Sequence, residues 1–226
     1  MWEKKGGIVT IQKPANYYAE TDFSAPLTAA IATKPDFMLI GGPSATTALF
    51  IEQARNMGFK GGFVLVDQAK QDYIAMLLKG TKIMGDLIGT AGVSSLPPYP
   101  GQDFDVRYTK AYKRMVTWEC ALNYTAMHAL ARAIQAAGTT TDVQKIRASF
   151  PKAYPMLADK YPNEVYGINE KGNTLILASV QTVTAGKSNP SALYAWWPKT
   201  NKEFEAIKKI TKVDKSVPIY WFPTAQ

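Results

Sequence analysis

The sequence carries a single cysteine, Cys120, and a single histidine, His128. One cysteine excludes an internal disulfide and any cysteine-based metal cage, and one histidine excludes most histidine-rich metal sites. Cys120 falls in the apolar register of a helix, where a small buried hydrophobe is favoured over a nucleophile, and His128 reads as structural in the same way. Long hydrophobic runs are also missing. No stretch of about 18 uninterrupted apolar residues occurs, because even Ala121 to Gly138 is interrupted by Asn123, His128, Arg132 and Gln135, so no membrane span is expected. Met1-Trp2-Glu3-Lys4-Lys5 is followed by no apolar core of a secretory signal. As the sequence stands, either the protein is cytosolic or its natural start lies further upstream.

What is present is ordinary globular material. The 226 residues are 46% hydrophobic and 19% charged, with 14 Pro and 16 Gly spread along the chain, enough for one large core or two modest ones. Lys and Arg number 26 against 18 Asp and Glu, a formal charge of +8. The basic residues scatter singly or in pairs, densest at Lys199 to Lys215 and Arg107 to Arg114. Aromatic side chains do not interleave with them as a strand-binding platform requires, so a solvated basic surface is favoured over nucleic-acid binding.

The first third alternates strand and helix signals. Gly6 to Ile11 has the β-branched content of a short strand. Asp22-Phe23-Ser24 opens a helix that tolerates Pro26 in its first turn and stops at Lys34-Pro35. The apolar run Asp36 to Ile40, ending in Gly41-Gly42, predicts a buried strand, and Ser44 to about Met57 a helix stopped by Gly58. Phe63 to Val66 predicts the next strand, Gln68 to Leu78 a helix, and Leu87 to Val93 a further strand. This pattern implies right-handed crossovers and an open, mostly parallel α/β sheet with helices on both faces. Ser94 to Gly101 is Pro-rich and reads as a linker or crossing segment. Helices follow over Asp103 to about Met115, Thr117 to Ala137 and from Thr141-Asp142 to before Phe150-Pro151. On the longest, the stripe Cys120, Tyr124, Met127 or His128, Ala131, Ile134 and Ala137 reads as core. Leu175 to Val183 predicts a strand, and the tail from Lys187 is aromatic and Pro-punctuated.

Motifs that carry chemistry are nearly absent. Gly41-Gly42-Pro43-Ser44 is a strand-to-helix turn whose free amides and positive helix end face any cleft there, although a bare turn needing glycine backbone angles accounts for it equally. It lacks the ending of a phosphate loop, the glycine spacing of a dinucleotide fold and the second glycine of a nucleophile elbow, since Thr46 occupies that place. Asp67 sits at the carboxyl end of the next strand, the edge at which open α/β sheets bind ligands. It suits pairing with a ligand ammonium or capping the helix that begins at Gln68. No nucleophile-base relay, acid and base pair or metal spacing can be assembled, and no cofactor is implied.

The ordered segments Thr21-Asp22-Phe23-Ser24, Lys34 to Gly42, Glu52 to Lys60, Tyr108 to Tyr112, Ala133 to Asp142 and Gly167 to Asn173 closely resemble the leucine/isoleucine/valine-binding family. Those are the type I periplasmic solute-binding proteins of ABC importers, and the resemblance runs roughly from Gly6 to Gly186. It implies two α/β lobes joined by several crossings, with an amino acid or related small solute trapped between them as they close, no catalysis, delivery to a membrane permease and an extracytoplasmic location. Residues 1–91 would form most of the second lobe, 92–172 the C-terminal part of an incomplete first lobe, 173–186 a return strand and 187–226 an aromatic extension. The crossings near Gly92 to Pro100 and Lys171 to Thr174 would be hinges. By the same resemblance, Gly42, Pro43, Ser44, Ala45 and Asp67 would line the ligand site. Asp67 stands where branched-chain amino-acid binders carry an acidic residue that meets the α-ammonium. Pro43 stands where they often place a tyrosine, and Ser44 beside it offers a replacement hydroxyl. The sequence resembles the C-terminal part of such a receptor, so the apolar face of the Thr117 to Ala137 helix is expected to lack its sheet, and either self-association, the aromatic tail from Tyr194 to Phe222 packed against it, or the rest of a longer protein would cover it. A receptor fragment without ligand function, or an α/β sensor or enzyme, are the competing readings.

Overall fold

The computed structural model describes residues 3–66, 68–90, 103–189 and 191–222. The chain divides into two units, Met1–Ala91 with Gln181–Pro190, and Gly92–Val180 with Ser191–Gln226.

In the first unit the order is α1 (Ser24–Ala32), β1 (Phe37–Gly41), α2 (Ser44–Asn56), β2 (Gly62–Val66), α3 (Gln71–Leu77) and β3 (Leu87–Thr90). β1, β2 and β3 lie side by side and parallel, with Met38 opposite Phe63 and Phe63 opposite Leu87. Strand side chains alternate between faces, so Met38, Phe63, Leu65 and Leu87 share one face. That face is buried in one core with Phe23 and Leu27 at the start of the chain's first helix, Ala48, Ile51 and Ala54 of α2, and Ile74 of α3. The opposite face presents Leu39, Val64 and Ile88 in register, and Leu39 is 65% exposed.

Local chemistry sets the ends of these elements. The Asp22 carboxylate accepts the Ser24 N–H at 2.9 Å at the start of α1. α2 ends where Gly58 takes φ 90° and the Phe59 N–H returns to the Ala54 carbonyl at 2.9 Å. Gly61 is required by closeness, since a Cβ there would lie 2.3 Å from the Asp36 carbonyl oxygen.

The second unit contains α4 (Phe104–Tyr112), α5 (Trp118–Ala137), α6 (Val143–Ser149), the antiparallel pair β4 (Val165–Ile168) and β5 (Thr174–Ile176), and the start of β6 (Ala178–Thr184). The remainder of β6 belongs to the first unit, where it pairs with β7 (Lys187–Ser188). Residues 178–180 pair antiparallel with β8 (Ala192–Ala195), which lies parallel to β9 (Ile219–Trp221), and α7 (Asn201–Ile210) connects the last two. α6 is capped by Asp142, whose carboxylate accepts the Lys145 N–H at 3.0 Å. α7 is capped by Thr200, which accepts the Glu203 N–H at 3.3 Å.

Several expectations require correction. Gly6 to Ile11 is not a strand: it pairs with no neighbouring strand, and Ile8 is 81% exposed. β-branched content becomes a strand only where an edge is available to pair with. Leu175 to Val183 is two strands broken at Leu177. α3 starts at Gln71 rather than Gln68, because residues 68–70 are held in a loop described below. α4 ends at Tyr112, where Lys113 turns to φ 54°. On α5 the fully buried stripe is Ala121, Thr125, Ala129, Ala133 and Ala137; of the expected stripe Ala137 is buried and Cys120, Tyr124 and Ile134 are half-buried against the core, whereas Met127, His128 and Ala131 are exposed. Small side chains let the helix approach its neighbours closely, and Ala133 and Ala137 pack with Ile146 and Ala153 while Ala129 packs with Met156 and Val165. The bulkier Leu122, Met127 and Leu130 are left exposed. The sequence reading also missed α7, in which Phe204 and Ile207 are buried and the lysines face water.

The aromatic tail is ordered by specific contacts. Trp196 Nε1 donates to the Ile176 carbonyl at 3.0 Å and Trp221 Nε1 to the Pro198 carbonyl at 2.9 Å. The Trp221 ring stacks on Phe204.

Candidate functional site

The carboxyl ends of the parallel strands in the first unit gather the loops singled out in the sequence. β1 stops at Gly41, and Pro43, with φ −61°, leads directly into α2. The first hydrogen bond of α2 runs from Thr47 N–H to the Pro43 carbonyl at 2.9 Å. The amides of the preceding turn are therefore beyond the reach of helical carbonyls, as at any helix start. Gly42 and Pro43 are half-buried, Ser44 is buried and Ala45 is exposed.

Ser44 joins this turn to the loop after β2. Its hydroxyl donates to the Gln68 carbonyl at 2.7 Å and accepts the Lys70 N–H at 2.9 Å. The single O–H of Ser44 is thus committed to the backbone beside Asp67, so this residue fixes the distance between the two loops. Asp67 itself lies outside the described residues, as does the linker expected over Ser94 to Gly101. What the structure brings together is the Gly42 to Ala45 turn and the backbone of residues 68–70.

Gln71, the first residue of α3, was not singled out by sequence. It is 1% exposed, and among the described residues neither its amide nitrogen nor its amide oxygen has a hydrogen-bond partner. A buried primary amide is paired in nearly every native structure, so this one is an exception.

The opposite ends of the strands are closed by Arg55. Its guanidinium donates to the carbonyls of Ile83, Phe59, Gly61 and Met84 at 3.0, 2.8, 2.8 and 2.7 Å. Its carbon lies 4.5 Å from the Phe63 ring centre. Arg55 therefore ties the segments that enter β2 and β3, while Ser44 ties the loops at the other end. Gln53 secures α1 to α2, accepting the Phe23 N–H and donating to the Thr21 carbonyl, each at 2.7 Å.

The second unit holds one buried carboxylate of note. Glu164 is 5% exposed and accepts from the Ala158 N–H at 3.1 Å, the Lys212 N–H at 2.6 Å, the Thr211 hydroxyl at 2.6 Å and the Tyr166 hydroxyl. Cys120 is partly buried. Burial pushes its thiol pKa up, but hydrogen bonds from Tyr108 and Thr117 outweigh this and hold it below the ordinary value. Among the described residues no group of three or more His, Cys, Asp or Glu side chains is placed to hold a metal, and no helix is long and apolar enough to cross a membrane.

A mostly parallel α/β sheet with a glycine turn at the carboxyl end of a strand is an architecture common among small-molecule-binding folds. Within that class, the family model for periplasmic binding proteins matches residues 1–167, and the chain belongs to this family. No curated protein sequence matches it. Among solved structures, it is similar to a leucine-binding protein, LivK, from Thermotoga maritima MSB8. The two are 26% identical with a TM-score of 0.60, over 77% of this chain and 49% of that one. The branched-chain amino acid transporter substrate-binding protein LivJ from Streptococcus pneumoniae, solved with isoleucine, is 17% identical with a TM-score of 0.57, over 77% and 49% of the two chains. A solute-binding protein of an ABC transporter from R. palustris, solved with benzoate, is 13% identical with a TM-score of 0.56, over 78% and 48%. The chain spans about half the length of these relatives. The mixed α/β class with a mostly parallel sheet agrees with the fold of these proteins.

Proposed function

We propose that this chain acts in solute capture for an ABC importer, outside the cytoplasm, holding an amino acid or a related small solute without transforming it and passing it to a membrane permease. The observation that supports this most directly is the Ser44 bridge. It holds the glycine turn at the start of α2 beside the backbone that flanks Asp67. A helix start offers amide donors and partial positive charge to a carboxylate or carbonyl, and an acidic side chain on the adjacent loop offers an acceptor to an ammonium. Gly42, Pro43 and Ala45 would contribute backbone and shape, Ser44 the spacing, and Asp67 the charge. Binding of this kind needs no nucleophile or general base.

Titration calorimetry and thermal shift against the amino acids, their amides and benzoate test the proposal. At least one solute is expected to bind. If it is an amino acid, Asp67→Ala should weaken it by about 10- to 100-fold, the worth of one charge-assisted hydrogen bond. Unchanged affinity in Asp67→Ala would remove the site assignment, and no binding by any solute would favour a receptor fragment without ligand function.

A further inference from the structure

Two features of the first unit find no use in their own chain, and they match. The segment Gly6 to Ile11 carries the β-branched Ile8, Val9, Thr10 and Ile11 yet forms no strand. Among the described residues, none of 7–11 makes a main-chain hydrogen bond to another main-chain group. Ile8 is 81% exposed and Val9 54%. In its own chain this arm lies beside the end of α1, where the Thr10 and Thr33 hydroxyls meet at 2.8 Å. The second feature is β1, which stands at the end of its sheet and pairs with β2. It runs Phe37-Met38-Leu39-Ile40-Gly41 in unbroken register with no charge, proline or bulge, and Leu39 and Gly41 are exposed. Natural sheets guard an edge with one of those devices, because an unguarded edge is a template for another strand.

We infer that the edge of β1 receives the Gly6 to Ile11 arm of a second copy of this chain, and that the exchange is reciprocal, closing a two-fold dimer. Each arm gains the ladder that its β-branched residues suit, and each edge is covered. The same patch serves on both copies, so no arm is left over to recruit a third. Pairing of β1 with β1 of the other copy would leave both arms unused. Proline bounds the pairing, since Pro14 follows the arm and Pro35 precedes β1, and neither can donate to a ladder. Covering Ile8, Val9 and Leu39 in both halves removes roughly 250–500 Å² of side-chain surface from water. Two backbone edges add to this, and the total stays below the ~1,200 Å² of stable interfaces. The dimer is therefore reversible and depends on concentration.

Analytical ultracentrifugation of the unaltered chain over a wide concentration range tests this, in reducing buffer so that Cys120 forms no disulfide. Monomer and dimer in exchange are expected. Amides of residues 8–11 should exchange with solvent roughly tenfold or more slowly in the dimer than in the monomer. Alternate amides along a strand face its partner, so one of Ile8→Pro and Val9→Pro removes a ladder donor from each arm. That variant should weaken the dimer roughly tenfold or more, and neither should change the melting temperature of the monomer, because the arm is outside the core. A chain that stays monomeric throughout overturns the inference. A dimer that neither variant weakens overturns it too, since association would then run through β1 against β1 or through the exposed side chains of α5. Unprotected arm amides in the parent dimer overturn it whatever the variants do, and an open series of larger oligomers overturns the reciprocal closure.

Discussion

Replacing Arg55 by leucine should destabilise the first unit substantially. The guanidinium satisfies four backbone carbonyls from two separate segments, Phe59 and Gly61 before β2 and Ile83 and Met84 before β3. A hydrogen bond from a charged donor is worth about 1.5–3 kcal/mol where it is buried. Arg55 is half-buried, so water can reach part of what is vacated and each bond is better set at about 1 kcal/mol. Four such bonds, with a cation–π contact to Phe63 of about 0.5–1 kcal/mol, sum to roughly 4–5 kcal/mol. Leucine keeps some of the packing on Phe59 and Phe63, which lowers the expected loss to about 4 kcal/mol. For a chain of this size that is a fall in melting temperature of roughly 8–16 °C. Thermal and guanidinium denaturation followed by circular dichroism would measure it. Arg55→Lys separates charge from geometry: an ammonium is a point donor and cannot reach four carbonyls spread around a planar fork, so lysine should recover less than half of the loss. A stability change under about 1 kcal/mol for Arg55→Leu, or full recovery by lysine, would refute the claim that this fork joins the two strand entries.

Glu164→Ala should loosen the tail within the second unit, because the Thr211 and Tyr166 hydroxyls and the amides of Ala158 and Lys212 lose their shared acceptor. A cost of about 3 kcal/mol is expected, with faster tryptic cleavage at Lys208, Lys209 and Lys212; an unchanged cleavage rate would contradict it. Asp22 has its pKa held below the usual carboxylate value by the backbone and side-chain hydrogen bonds of Ser24. A depressed folded-state pKa stabilises the protein above the unfolded value, and this contribution is lost as pH falls through the folded value. Asp22→Asn should therefore narrow the difference between neutral and acid stability, and acid titration of both proteins would reveal an unchanged profile if the bond has no such role. Alkylation of Cys120 should shift to higher pH in Tyr108→Phe, which removes one of the hydrogen bonds that favour the thiolate; an unmoved pH profile would assign the lowering to Thr117 alone.

The sequence by itself determined the succession of elements in the first unit and the α6 helix of the second. Its apolar strand cores, Gly58 as a helix stop and the cap at Asp142 are short-range signals, and the structure places β1, α2, β2, β3 and α6 within a few residues of where those signals fall. The family resemblance was legible for the same reason, since it rides on those ordered segments. The Gly42 to Ala45 turn and Asp67 were legible as candidates because strand ends in such sheets face ligands. Only the tertiary structure decided the rest. Gly6 to Ile11 has strand chemistry but finds no edge. α5 turns its alanines inward because their small side chains allow close packing on Ile146, Ala153, Met156 and Val165, and it leaves Met127 exposed. Ser44, Arg55 and Glu164 owe their roles to backbone groups or burial that come from distant parts of the chain, and a hydrogen-bond partner 24 or 48 residues away leaves no periodic trace in a sequence.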